Sequence, residues 1–184
     1  MTSLQFPLPG STLVTGPSNA GKTQTAAAAL NAWLDSEGTE GVAVLDFAPE
    51  LERDGTILGG RVDRFTTVPE AVWLGRIDAS APRAQSETAE QAVALARDNA
   101  RRAEQQLDAL SETPRAVFVN DATIPFQHDS VAVSRLTEYC EKADVVVLNA
   151  FDSDELGVDD PVSRAERDAL DRLRRWADRT LDLS

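Results

Sequence analysis

The chain has 184 residues, 31 of them acidic and 18 basic, for a net charge of −13. That length suits one domain, residues 1–184, and a hydrophobic content of 42% lets its core form without cross-links. The charge argues against nucleic acid and anionic membranes as partners, the single Cys140 excludes an internal disulfide, and no apolar run reaches the ~18 residues of a membrane span.

There are sixteen arginines but only two lysines. Acid-rich, lysine-poor chains are either ordinary acidic proteins or adapted to molar salt, where repulsion is screened over a few ångströms. The lysine scarcity favours the halophilic reading. There is no Cys/His spacing for zinc. Residues 1–11 carry two prolines and no basic stretch, unlike a signal peptide. A reducing cytoplasm is the expected location.

In chain order, "STLVTG" (11–16) reads as a strand running into a glycine loop, and residues 21–35 as an alanine-rich helix. "VAVLDF" (42–47) reads as a buried strand. Residues 48–70, with Pro49, Asp54-Gly55, Gly59-Gly60 and Pro69, read as loop and turns around one short element. "AVWLG" (71–75) is a further candidate strand. Residues 86–110 carry helical periodicity, with Ser86 as candidate cap. "RAVFVN" (115–120) reads as a strand ending at Asp121, 130–142 as a helix, and "DVVVLNA" (144–150) as a strand. Asp160-Pro161 and Ser163-x-x-Glu166 are helix-start signals, and the closing "TLDLS" suggests an edge strand. Solid apolar strands alternating with helices predict an α/β fold: a mainly parallel sheet with helices on both faces and ligands at the carboxyl ends of its strands.

The motif that carries chemistry is "GPSNAGKT" (16–23), a match to G-x-x-x-x-G-K-[ST] between strand and helix. Gly16 and Gly21 permit turns and close approach that a Cβ would block. Pro17, Ser18, Asn19 and Ala20 complete a nest of backbone N–H groups at a helix start, and Gln24 follows it. Lys22 supplies a compact ammonium for the β- and γ-phosphates, which the planar guanidinium of arginine does not replace. Thr23 offers a hydroxyl to Mg²⁺. These residues predict a three-layer P-loop NTPase fold that binds Mg-ATP, with GTP left open.

Mg²⁺ also wants a carboxylate at a strand end, and Asp121 is the candidate, acting through a metal-bound water. No glutamate follows it. The stretch 44–54 supplies Asp46 and Glu50 as acids to orient water or a substrate hydroxyl. Where a GTPase would carry D-x-x-G and N-K-x-D, the chain has "DATI" (121–124) and "NAFD" (149–152), so glycine and lysine are missing.

The P-loop, the Asp121 strand and "VVVLNA" resemble the RecA-like core of P-loop NTPases over most of residues 10–151. In that family the glutamate after the second strand polarises water, which implies Glu50 as a catalytic residue beside Lys22. The C-terminal third, through Asn149, Glu155, Gly157, Pro161, Arg164, Arg167, Ala177 and Asp178, is similar in layout to the end of adenosylcobinamide kinases. That resemblance implies phosphoryl transfer from a nucleoside triphosphate to a small alcohol. Bifunctional members also carry a guanylyl-accepting histidine after the second strand. Residues 57–71 have none, and the sole histidine, His128, lies elsewhere and reads as a cap or surface residue.

Arg83, Arg101, Arg102, Arg164, Arg167, Arg174 and Arg175 are candidates for stabilising a transferring phosphate. Those of 164–175 are equally placed for i,i+4 pairs with Asp168, Asp171 and Asp178. The expected function is that of an ATPase or small-molecule kinase. The alternative is a nucleotide-dependent switch whose loops at 48–64 and 121–129 bind a protein partner. An oligomer is left open.

Overall fold

The computed structural model describes residues 3–110 and 113–184. Six strands form one all-parallel sheet in the order β5-β2-β6-β7-β1-β8. They are β1 (Gly10–Gly16), β2 (Val42–Asp46), β5 (Trp73–Arg76), β6 (Ala116–Asn120), β7 (Val145–Phe151) and β8 (Arg179–Asp182). Parallel neighbours need long crossovers. These are supplied by α1 (Lys22–Glu37), α2 (Ala89–Asp108), α3 (Ser134–Cys140) and α4 (Pro161–Trp176).

The sheet carries a hydrophobic core on each face, because successive side chains along a strand point opposite ways. Leu13, Leu45, Val117, Val119, Val146 and Leu148 pack with Ala100, Leu107, Leu136 and Leu173 of α2, α3 and α4. Val14, Val44, Phe118, Val145 and Val147 pack with Ala26, Leu30 and Trp33 of α1. The layers are therefore helix, sheet, helix, the three-layer arrangement expected of a P-loop fold. The inner strands are buried along almost their whole length, whereas the edge strands are more open: β8 exposes alternate residues and β5 exposes Leu74. Among the described residues no helix is long and apolar enough to cross a membrane.

Several local expectations change. Residues 50–59 are not loop: β3 (Glu50–Arg53) and β4 (Thr56–Gly59) form an antiparallel hairpin outside the main sheet. Its turn is Asp54-Gly55, both in the left-handed region, as a two-residue hairpin demands. The second helix starts at Ala89 and is capped by Thr88, whose hydroxyl accepts the Gln91 N–H, rather than by Ser86. Helix α4 starts as expected at Pro161 behind an Asp160 cap, but the Ser163-x-x-Glu166 box does not form. Ser163 already lies inside the helix, and Glu166 is turned inward.

Leu148 is fully buried on a central strand, whereas Leu181 is half-buried on an edge. Urea unfolding at fixed salt should show Leu148→Ala losing about 2–5 kcal/mol, and Leu181→Ala less than half as much.

Candidate functional site

The parallel sheet brings Gly16, Asp46, Asn120 and Phe151 to one edge, where their strands end. A cavity opens there. It is lined by Ser18, Asn19, Gly21, Lys22, Thr23 and Gln24 on one side and by Asp121, Thr123, Gln127 and Glu166 on another. Arg83 and the apolar Pro49, Phe65, Ile124, Phe151 and Leu156 complete its walls. Gly16, Pro17 and Ala20 belong to the same loop but do not line the cavity.

Two loop residues adopt left-handed conformations, Asn19 at φ 62° and Gly21 at φ 93°. Gly21 is the N-cap of α1, and no side chain caps that helix start. The first N–H groups of α1 and those of the loop are the kind of donor array that takes an anion. Lys22 is buried, and its Nζ donates to the Pro17 carbonyl at 2.5 Å. Burial lowers its pKa, against the pull of Asp121, Glu155 and Glu166.

Thr23, the hydroxyl expected to serve a metal, donates to Asn120 Oδ1 at 3.0 Å. The group facing it is thus an amide and not the Asp121 carboxylate. Asn120 is 1% exposed and uses its whole capacity. Its Oδ1 also accepts from Asn149 Nδ2 at 2.9 Å, and its Nδ2 donates to Asp46 Oδ1 at 2.9 Å and the Gly60 carbonyl at 2.8 Å. Strand parity accounts for it: Asn120 follows Phe118 by two residues, so it points to the α1 face where Thr23 sits. Asp121 lies past the strand end at φ 53°, with its N–H on Asn149 Oδ1. That parity was the one available signal for Asn120, and the more obvious carboxylate beside it masked it.

Asp46 does not reach the cavity. It is fully buried behind Asn120, where it also accepts the Val62 N–H at 2.9 Å. Burial raises its pKa, against the bonds from Asn120, Val62 and Ala48 and the charge of Arg76. Glu50, the other acid expected to orient a nucleophile, does not line the cavity either. It opens the hairpin and faces Arg64 at 3.7 Å. His128 holds the Ser130 N–H in a turn, and Arg102 binds the Asp78 carbonyl. Neither lines the cavity, nor does Arg101, which pairs with Asp98.

Arg83 does. It donates to Glu166 at 2.6 Å and to Ser163 Oγ at 3.0 Å, and its guanidinium lies 5.5 Å from the Phe151 ring centre. The other Glu166 oxygen accepts from Thr123 at 3.1 Å and Gln127 at 2.7 Å. The apparent capping glutamate of α4 is therefore a buried anchor that holds one cation at the cavity wall. Nothing local in the sequence marks it, because its partners lie 39 to 83 residues away.

Asp121 and Glu166 are the carboxylates lining the cavity, and Lys22 and Arg83 the cations. Glu166 is committed to three donors. No described side chain hydrogen-bonds the Asp121 carboxylate, whose pKa burial raises to about 7, helped by Asp46 and Glu166 and opposed by Lys22. Among the described residues no cluster of three His, Cys, Asp or Glu side chains could hold a metal alone. The donor set here, a threonine hydroxyl and one carboxylate, suits Mg²⁺, which usually takes its remaining oxygens from water and phosphate. Compared with protein-family models, curated proteins and solved structures, the chain has no significant match.

Asp121 has a testable signature. Between about pH 4 and 7 the folded chain holds a proton on Asp121 that the unfolded chain has released, so stability falls as pH rises through that window. In urea titrations without nucleotide, Asp121→Asn should make that fall shallower, leaving the part that the raised pKa of Asp46 contributes. The variant should be about 1–4 kcal/mol more stable than the parent at pH 8, and the two should converge near pH 4.

Proposed function

We propose that the chain binds a Mg²⁺–nucleoside triphosphate and cleaves or transfers its γ-phosphate. The observation that carries this is one cavity shared by Lys22, Thr23, Asp121 and Arg83 at the open N-terminus of α1. The loop N–H groups and Lys22 bind the phosphate tail in this reading. Thr23 and Asp121 hold the metal, which when bound neutralises charge on the phosphate oxygens. Asn120 sets the direction of the Thr23 hydroxyl. Arg83, held by Glu166 and Ser163, stabilises charge on the transferring phosphoryl group. Such transfers depend mostly on positioning and electrostatics, so a strong general base is not required. Glu50 consequently has no assigned part.

Apolar walls at Pro49, Phe65, Ile124, Phe151 and Leu156 favour a small-molecule acceptor over bulk water. A RecA-like relationship rests on the loop motif and the parallel sheet, and kinship to adenosylcobinamide kinases on the residues of the C-terminal third. ATP is the proposed nucleotide and the cytoplasm the proposed location. A switch with little turnover is the second reading, favoured by the hydrogen bond that the Ser18 N–H donates to Glu155 in the loop after β7.

Phosphate release from Mg-ATP at high KCl separates these readings. Turnover above ~1 per minute supports the enzyme, since unaided P-loop proteins can be far slower. Lys22→Ala should weaken binding of Mg-ATP by about 100-fold or more in calorimetry without unfolding the chain. Loss of nothing in that variant would end the proposal. Arg83→Ala should cut turnover about 100-fold with nucleotide affinity nearly unchanged, whereas Glu50→Gln should change it by less than about threefold.

A further inference from the structure

One N–H of the glycine loop already has a carboxylate partner. Glu155, in the connection from β7 to α4, places its Oε1 2.9 Å from the backbone nitrogen of Ser18 and accepts that N–H. We propose that Glu155 is a phosphate mimic carried by the chain itself, a latch that covers the anion nest until a triphosphate displaces it. This rests on the phosphate-binding reading above and adds a regulation to that same site.

The surrounding geometry suits a latch. The connection begins where the Asp152 N–H donates to the Gly16 carbonyl at 2.9 Å, so one end is tied to the P-loop itself. The other end is the Asp160 cap of α4. Between them, the Gly157 N–H closes a turn on the Asp154 carbonyl at 3.0 Å. Gly157 is left-handed at φ 116°, and a Cβ there would lie 2.8 Å from Asp160 Oδ2. The tip at 153–156 is thus short and held at both ends. Its Leu156 is 38% exposed and lines the cavity, so the tip borders the same space as the glycine loop.

What holds the tip down is weak and polar. Arg174 pairs with Asp152, and Arg167 pairs with Asp154 at 2.5 Å, with both latter side chains half or more exposed. Exposed pairs contribute little and are screened by salt. The Glu155 carboxylate also offers the nest a single hydrogen bond, and it lies close enough to Lys22 to favour the charged ammonium. A triphosphate offers the same nest several charged oxygens at once. It displaces the latch, whereas an isolated phosphate competes with it poorly. The device keeps the Ser18 N–H of the loop partnered in the absence of ligand, and it makes the β7–α4 loop responsive to nucleotide.

The test is calorimetric titration of the full chain with Mg-ATP at high KCl, comparing the parent, Glu155→Gln and Asp159→Asn. Glu155→Gln should bind about three- to tenfold more tightly, because it removes a charged competitor without changing side-chain size. Asp159→Asn, the same charge change in the same loop, should leave affinity within about twofold. In the parent, hydrogen exchange over 153–157 should rise on saturation. The latch is overturned if Glu155→Gln matches a parent that binds in a Lys22-dependent way, or if Asp159→Asn tightens binding equally. Absence of triphosphate binding to the parent and to Glu155→Gln alike would remove the phosphate reading and the latch together.

Discussion

The carboxamide of Asn120 is the constraint on which the site depends. It sits at the end of a central strand with no access to water, and it has two donors and two acceptor positions to satisfy. All are used: Thr23 and Asn149 donate to it, and Asp46 and Gly60 accept from it. Four separate pieces of chain, the start of α1, the end of β2, the segment after β4 and β7, are thereby fixed to one another. An aspartate could not replace it. Ionised, it would have no hydrogens for Asp46 and Gly60, and two buried carboxylates would face each other.

That junction explains why the acids divide as they do. Asp46 is spent inside the protein, orienting Asn120 through a hydrogen bond that requires its carboxylate oxygen. Asp121, one residue beyond the strand, is released from the sheet by its left-handed backbone and faces the cavity beside Lys22. Glu166 is spent in a different way, holding Arg83, Thr123 and Gln127 together across α4, the segment before α2 and the turn after β6. The cavity therefore contains two cations and two carboxylates on a chain whose net charge is −13. Local groups, and not the overall field, determine what this pocket attracts, the more so in salt that screens the surface over a few ångströms.

The helix α4 shows the same economy of charge. Of its arginines, Arg167 reaches back to Asp154 and Arg174 to Asp152 on the preceding loop, while Arg174 also pairs along the helix with Asp171. The helix thus restrains the loop whose Glu155 accepts the Ser18 N–H, while its inner face carries Glu166 into the cavity. Loop, helix and cavity wall form one mechanical unit built on a single crossover.

By itself the sequence determined the alternation of strands and helices, the parallel three-layer arrangement, and the position of the glycine loop with Lys22 and Thr23. Those features are local. They follow from periodicity, from turn residues and from a contiguous motif, so neighbours in sequence suffice to specify them. It also pointed to Asp121 as a carboxylate at a strand end, and the structure brings Asp121 into the same cavity as Lys22. Only the tertiary structure decided that Asn120 and not Asp121 meets Thr23, that Asp46 is buried and Glu50 lies outside the cavity, that Glu166 and Arg83 line it, and that Glu155 accepts the Ser18 N–H. Each of these is set by strands and helices far apart in the chain, packed in a particular order and register. A one-residue change of parity turns a side chain to the other face of the sheet, and no local pattern reports which partner waits there.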